Sequence, residues 1–215
     1  MSNEVRNAIF LHCLFDSPNH NFDPTRIFYD YIDWISISLE IISRDDQPWI
    51  IRSHPHSVFC GEDTYQLLCS YPLVRKALMA DNIIFQTGHL TRLDLKHLMK
   101  IVTYSGTVAE EAVLCHHRPI TIAHTFISQL FPDLCHKPQS VAEYESLLLS
   151  KLDSSFRLHL DSIRTFEAYL QKIADIVPPE LQISVVNGSA DYFGELNPKE
   201  IERYLDQMYF LQNAS

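Results

Sequence analysis

The residues with the clearest chemical potential lie in one short stretch, Tyr104-Ser105-Gly106-Thr107-Val108-Ala109-Glu110-Glu111-Ala112. An apolar run, Ile101-Val102, leads into it, and a helix-like run from Val108 to Cys115 leads out. Exposed N–H groups where a helix starts attract phosphate, and glycine lets a ligand approach the backbone closely. Ser105, Gly106 and Thr107 are therefore candidate phosphate contacts. Glu111, one turn into the helix, is placed to accept the two hydroxyls of a ribose. Thr107-x-x-Glu110 also fits a capping box, which by itself would explain those two residues without a ligand. A second feature is His54-Pro55, after the apolar run Trp49-Ile50-Ile51. An imidazole donating to phosphate makes a charge-assisted bond of roughly 1.5–3 kcal/mol. His54 and Ser105 are both expected where neighbouring parallel strands end. Arg52 adds charge there, and Asp16 and Ser17, after the first strand, are further candidates.

Other reactive residue types are less organised. Cys115-His116-His117, His124 and Cys135-His136 suggest a metal. Adjacent residues on one element rarely converge on one ion, and zinc ligands usually come in pairs two to four residues apart. No metal site is assigned. There is no Gly-x-Ser-x-Gly elbow, which argues against a serine hydrolase of that kind.

The elements around these residues follow from apolar periodicity. Short apolar runs at Ala8–Leu14, Pro48–Ser53, Asn82–Gln86, Lys100–Tyr104 and Pro119–Ala123 read as strands. A helix is expected to start at Asp23-Pro24, with Phe28, Tyr31, Ile35, Leu39 and Ile42 as its apolar stripe. Helical patterns also span Glu62–Ala80, interrupted at Pro72, and Thr91–Met99. Strands alternating with helices predict an α/β fold, a Rossmann-like parallel sheet with helices on both faces. After Ala123 the chain is expected to be mostly helical. Residues 124–139 read as a loop with one helical turn, and Ser140-Val141-Ala142-Glu143 as a capping box opening a helix to about Ser150. A long amphipathic helix runs from Phe156 to Ile173, a short strand covers Ile183–Val186, and Asn197 caps the last helix. A soft boundary near Lys151 divides the sheet domain, 1–150, from a helical extension, 151–215.

The 215 residues are 46% hydrophobic, enough for one large domain or a domain with an appendage. A net charge of −10 disfavours a broad nucleic-acid interface, which needs a basic face. Only five glycines are present, against a glycine-rich phosphate loop. The five cysteines, Cys13, Cys60, Cys69, Cys115 and Cys135, are odd in number and form no Cys-x-x-Cys, as expected for reduced thiols in the cytoplasm. No apolar run suits a membrane span and the polar N-terminus is unlike a signal peptide; peripheral association stays open.

The layout resembles the C-terminal, donor-binding half of GT-B glycosyltransferases of bacterial capsule and surface polysaccharide assembly. Four segments carry the resemblance: Phe10-Leu11-His12-Cys13-Leu14-Phe15-Asp16-Ser17-Pro18, Phe28-Tyr29-Asp30-Tyr31-Ile32-Asp33-Trp34, Trp49-Ile50-Ile51-Arg52-Ser53-His54-Pro55, and Val102-Thr103-Tyr104-Ser105-Gly106-Thr107 continuing through Glu111-Ala112 to Pro119. It covers about residues 7 to 150. It implies a nucleotide-sugar as substrate, with no metal or other cofactor. His54 and the Ser105-Gly106-Thr107 turn would hold its phosphates and Glu111 its ribose. Sugar-nucleotide 2-epimerases share a similar Ser-Gly-x-x-x-Glu-Glu-Ala, and teichoic-acid glycerophosphate polymerases a comparable His-Pro and polar turn. The chain departs from the family at His117, where glycine is usual, and at Lys100, where an acidic residue is common. The resemblance also implies that the acceptor site and catalytic base belong to an N-terminal domain, so that either another chain supplies it or this chain is a truncated or diverged remnant. The competing expectation is a non-catalytic interaction module that retains the fold.

Overall fold

A computed structural model describes residues 7–14, 27–57, 61–87, 92–123, 125–151 and 156–176. Asp16, Ser17, the helix start at Asp23-Pro24, His124, the strand at Ile183–Val186 and the helix from Asn197 lie outside the described residues. The chain divides into two compact units, Met1–Arg164 and Thr165–Ser215. Within the second, the described residues are the C-terminal part of a helix, Leu160–Ile176.

Five parallel strands form the sheet of the first unit: β1 (Asn7–Phe10), β2 (Trp49–Arg52), β3 (Ile83–Gln86), β4 (Lys100–Thr103) and β5 (Ile120–Thr121). Their order is β3-β2-β1-β4-β5. The chain winds outward from β1 to β3, then crosses back to place β4 on the other side of β1. This reversal opens a crevice beyond the carboxyl ends of β1 and β4, where doubly wound sheets bind ligands. Strand alternation supplies two cores. Ile9, Leu11, Trp49, Ile51, Val102 and Tyr104 face one, under α1 (Tyr31–Ile42). Ala8 and Ile101 face the other, with Phe10 and Ile50 packed against it. That side is covered by α4 (Arg92–His97) and α5 (Val108–Leu114), through Leu95, Ala112 and Cys115. β1, β4 and β5 are buried on both faces, which is why they read as short continuous apolar runs, whereas the edge strand β3 exposes Ile84.

Local signals set most helix starts. Asp63 caps α2 (Thr64–Cys69), and Pro72 is the first residue of α3 (Pro72–Leu78), the interruption expected from the sequence. Thr125 and Ser128 exchange a capping box at α6 (Phe126–Leu130). Ser140 caps α7 (Val141–Leu149), but the Glu143 carboxylate accepts from the Gln139 N–H rather than closing the box on Ser140. Three expectations need correction. First, α1 begins at Tyr31, because the Asp30 carboxylate accepts from the Asp33 N–H at 2.7 Å and ends the preceding bend. Phe28 therefore lies ahead of the helix, yet is buried with its ring edge-on to Tyr144. Second, α8 (Leu160–Ile176) starts four residues after Phe156, which pairs back instead toward the end of α5. Third, the Thr107-x-x-Glu110 box does not form. The backbone of Thr107 is already helical, and its side chain makes no capping bond.

The C-terminus of α5 explains one departure from the family pattern. His116 N–H donates to Val113 O and His117 N–H to Ala112 O, the pair of bonds that closes a helix through a left-handed residue. That residue is His116, at φ 67°, not His117. Lys100, the other departure, is fully buried at the first position of β4. Its ammonium donates to the carbonyls of Leu148 and Ser150 at the end of α7 and sits over the rings of Trp49 and Phe156. A cation suits a helix C-terminus; here it ties α7 and the Phe156 segment to the amino-terminal edge of the sheet.

Candidate functional site

At the carboxyl edge, the strand register aligns three polar positions. Phe10 of β1 pairs with Arg52 of β2 on one side and with Thr103 of β4 on the other. Two residues beyond each lie His12, His54 and Ser105. His54 and Ser105 are thus not on neighbouring strands, as expected from sequence; β1 runs between them and puts His12 at the centre. Side chains two apart share a face of an extended chain, and this register was the signal by which His12 could have been found.

His12 and His54 line a cleft of about 180 Å3. His12, Arg52, His54, Gly106, Thr107 and Glu111 contribute its polar wall, and Phe10, Leu11, Leu95 and Val108 its apolar wall. The imidazoles of His12 and His54 are nearly parallel, at 11°, with centroids 6.4 Å apart. Arg52 is largely buried and donates from Nη1 to Gln86 Oε1 at 2.9 Å, so its charge is held at the mouth of β2. Ser105 does not line the cleft, but binds His12, which does.

Each side chain is held from behind. The His12 N–H donates to the Tyr31 hydroxyl at 2.6 Å, so the first residue of α1 fixes the chain beyond β1. Burial pushes the Tyr31 phenol well above its ordinary value, keeping it neutral. Tyr31, Trp34 and Tyr104 pack ring against ring, and Trp34 Nε1 donates to the buried Tyr144 hydroxyl at 3.0 Å. His54 has its Nδ1 3.4 Å from Cys13 Sγ. Behind it the buried Glu62 carboxylate accepts from the Leu14 N–H, the Ser57 hydroxyl and the Thr64 hydroxyl. A single carboxylate thus joins the segment after β1, the turn after β2 and the start of α2. Sequence reasoning missed Tyr31, Cys13 and Glu62 as supports because their partners His12, His54 and Leu14 lie 19, 41 and 48 residues away in the chain.

The Ser105-Gly106 turn differs from its expected form. The Ser105 N–H donates to His12 Nε2 at 3.2 Å, and the Gly106 N–H to Thr103 Oγ1 at 3.1 Å. Two of the three groups expected to face a phosphate thus have their N–H engaged inside the protein. Gly106 is required for another reason: a Cβ there would lie 2.9 Å from Thr103 Oγ1 and 3.4 Å from His12 Cε1. Glu110 turns from the cleft and is largely buried; burial raises its carboxyl above the usual range. Glu111 faces the cleft. The cysteine and histidine clusters disperse: Cys115 packs in the core under α4, His117 is buried against Arg157, and His136 lies against Phe156. Among the described residues no group of three or more His, Cys, Asp and Glu is arranged to hold a metal ion. None of the helices among them is long and apolar enough to cross a membrane.

The fold and cleft define a Rossmann-like α/β domain with a polar crevice at its switch point. No protein-family model matches the chain, and no curated protein matches it. Solved structures similar to it include a UDP-GlcNAc 2-epimerase of Methanocaldococcus jannaschii, at 21% identity and a TM-score of 0.45 over 79% of this chain and 47% of that one. A putative UDP-N-acetylglucosamine 2-epimerase of Listeria monocytogenes matches at 16% and 0.41, over 81% and 47%. The catalytic domain of a Helicobacter pylori cholesterol-alpha-glucosyltransferase matches at 12% and 0.34, over 79% and 99%. The chain spans about half the length of the two epimerases.

Proposed function

We propose that the cleft binds the nucleoside diphosphate portion of a nucleotide-sugar, and that the chain is the donor half of a metal-independent GT-B glycosyltransferase acting in capsule or surface polysaccharide assembly. The observation that carries this reading is the convergence of His12, His54, Arg52 and Glu111 on one crevice at the carboxyl ends of β1, β2 and β4. Three nitrogen-bearing side chains suit a phosphoryl group, and a carboxylate in the same cleft suits vicinal hydroxyls. Phe10, Leu95 and Val108 supply an apolar wall for a base. In glycosyl transfer these side chains would stabilise the departing nucleotide as charge develops on its phosphate. The acceptor and its base would come from an N-terminal domain, on this or another chain, in a cytoplasmic enzyme.

The test is thermal stability with UDP, CDP, CMP and GDP, on the chain and on its H54A and E111A variants. A ligand at 100 times its dissociation constant adds about 2.7 kcal/mol. A shift with one base that falls in both variants supports the reading. No shift with any nucleotide sinks it and favours an interaction module. A sugar-nucleotide 2-epimerase is the second reading, favoured by the run Ser105-Gly106 through Glu110-Glu111-Ala112. Conversion of the sugar without an acceptor, once the other domain is supplied, would replace transfer by epimerisation.

A further inference from the structure

The contact between His12 and the Ser105 turn fixes a protonation state. A backbone N–H only donates, so His12 Nε2, at 3.2 Å from Ser105 N, must accept. His12 is therefore neutral, with its proton on Nδ1, as long as this bond stands. The Ser105 hydroxyl lies 3.4 Å from the same nitrogen. Its backbone is held by the Tyr31 hydroxyl, its ring meets the Tyr31 ring edge-on at 5.9 Å, and it lies parallel to His54. Gly106 lies alongside it: a Cβ there would sit 3.4 Å from His12 Cε1, in ordinary contact, and 2.9 Å from Thr103 Oγ1, too close.

We propose that this contact is a latch opened by a phosphoryl ligand, and that binding is coupled to uptake of one proton by His12. The inference rests on the nucleotide reading of the cleft. An anionic oxygen replaces Nε2 as acceptor of the Ser105 N–H. His12 Nε2 then takes a proton from solvent and donates to the same anion, so one imidazole changes from competitor to ligand. The ionisable groups around it explain why the ligand is needed. From β2 come Arg52 and His54, from α5 Glu111, from α1 Tyr31, and from its own segment Cys13, with Glu62 behind. Tyr31 is neutral, and a protonated His12 would share the cleft with Arg52 and lie parallel to His54. Without an anion, protonation also breaks the Ser105 bond.

The experiment is calorimetric titration of the full chain with UDP-GlcNAc in buffers of different ionisation enthalpy. The phosphates of this probe are both esterified, so the probe itself takes up no proton in the range used. Uptake of about one proton is expected, with affinity rising by up to tenfold per pH unit as the pH falls from about 8 toward about 6. H12N keeps an acceptor for the Ser105 N–H but cannot be protonated. It should bind with about one proton less uptake and a flatter pH profile, while His54 is intact in both proteins. Imidazole NMR on the ligand-free chain should show His12 with its proton on Nδ1. Binding with no proton uptake, equal uptake by H12N, or a free His12 protonated on Nε2 near neutral pH overturns the latch and leaves the nucleotide reading standing. Failure of UDP-GlcNAc, UDP, CDP, CMP, GDP and pyrophosphate to bind anywhere between about pH 5.5 and about pH 8 overturns both.

Discussion

At its amino end β4 begins with Lys100, fully buried, its ammonium between two helix-terminal carbonyls and two aromatic rings. Three residues later the same strand ends at Thr103, and beyond it lie Gly106, His12 and the cleft. The amino edge is closed: Asn82 Nδ2 donates to the carbonyls of Ile42, Asp45 and Gln47, Trp49 Nε1 donates to Asp45, and the segment from Phe156 returns to pair with the end of α5. At the carboxyl edge the polar groups are equally well held, but they point into a cleft. Both edges contain cations and polar side chains. What separates them is whether carbonyls of this chain complete the coordination or leave room for another molecule. A charged residue near a strand end is therefore not evidence of a site until its partners are known.

The comparison breaks most readily at Lys100. Replacing it with alanine strips the α7 carbonyls of their donor and should cost about 3–5 kcal/mol in urea unfolding, with the carboxyl-edge residues untouched. A loss under about 1 kcal/mol would mean that the amino edge is not a fastening.

The next effect is one of pH. Burial first, and the Arg157 guanidinium second, push the His117 imidazole down to about 4. Its folded pKa is lower than the unfolded value of about 6.5, so the folded state excludes the proton. The stability it contributes is complete above about pH 6.5 and is lost as the pH falls to about 4, by about 3 kcal/mol. H117Q should flatten this slope in unfolding measurements. Glu110, whose carboxyl is raised by burial, acts with the opposite sign: its contribution is present at low pH and is lost as the pH rises.

At the carboxyl edge G106A places a methyl 2.9 Å from Thr103 Oγ1. It should cost about 1–3 kcal/mol of stability by overpacking and lower nucleotide affinity as the turn shifts off His12. E111A should change stability by less than about 1 kcal/mol yet weaken nucleotide binding by about ten- to a hundredfold, corresponding to one or two lost charge-assisted bonds. Equal losses of stability and binding would make Glu111 a structural residue, like Glu62. The smallest effect belongs to His116, the left-handed residue at φ 67°. H116G removes the Cβ strain and should stabilise the fold by about 0.5–1 kcal/mol without altering binding.

Most of the scaffold is legible in the amino-acid sequence. The five strands, the break at Pro72 and the Ser140 cap are local events, decided by apolar runs, a fixed φ and a single side-chain acceptor. The start of α1 is less legible, because Asp30 and Asp23-Pro24 are both adequate local signals and the sequence does not rank them. The Thr107-x-x-Glu110 spacing is a false local signal, since Thr107 adopts helical backbone and Glu110 is drawn into the interior.

The sequence alone determined that parallel strands end in His54-Pro55 and in Ser105-Gly106, and that a carboxylate stands one turn into the helix that follows. These are facts of spacing, and spacing is local. Only the tertiary structure decided the strand order, which inserts β1 between β2 and β4 and makes His12 the centre of the cleft. It also decided that Lys100 fastens the amino edge, and that the turn's own N–H groups are bound to His12 and Thr103. Those outcomes depend on which groups meet across the sheet after the chain has crossed back. A donor engages whichever acceptor packing brings within about 3 Å, however far along the chain that acceptor lies.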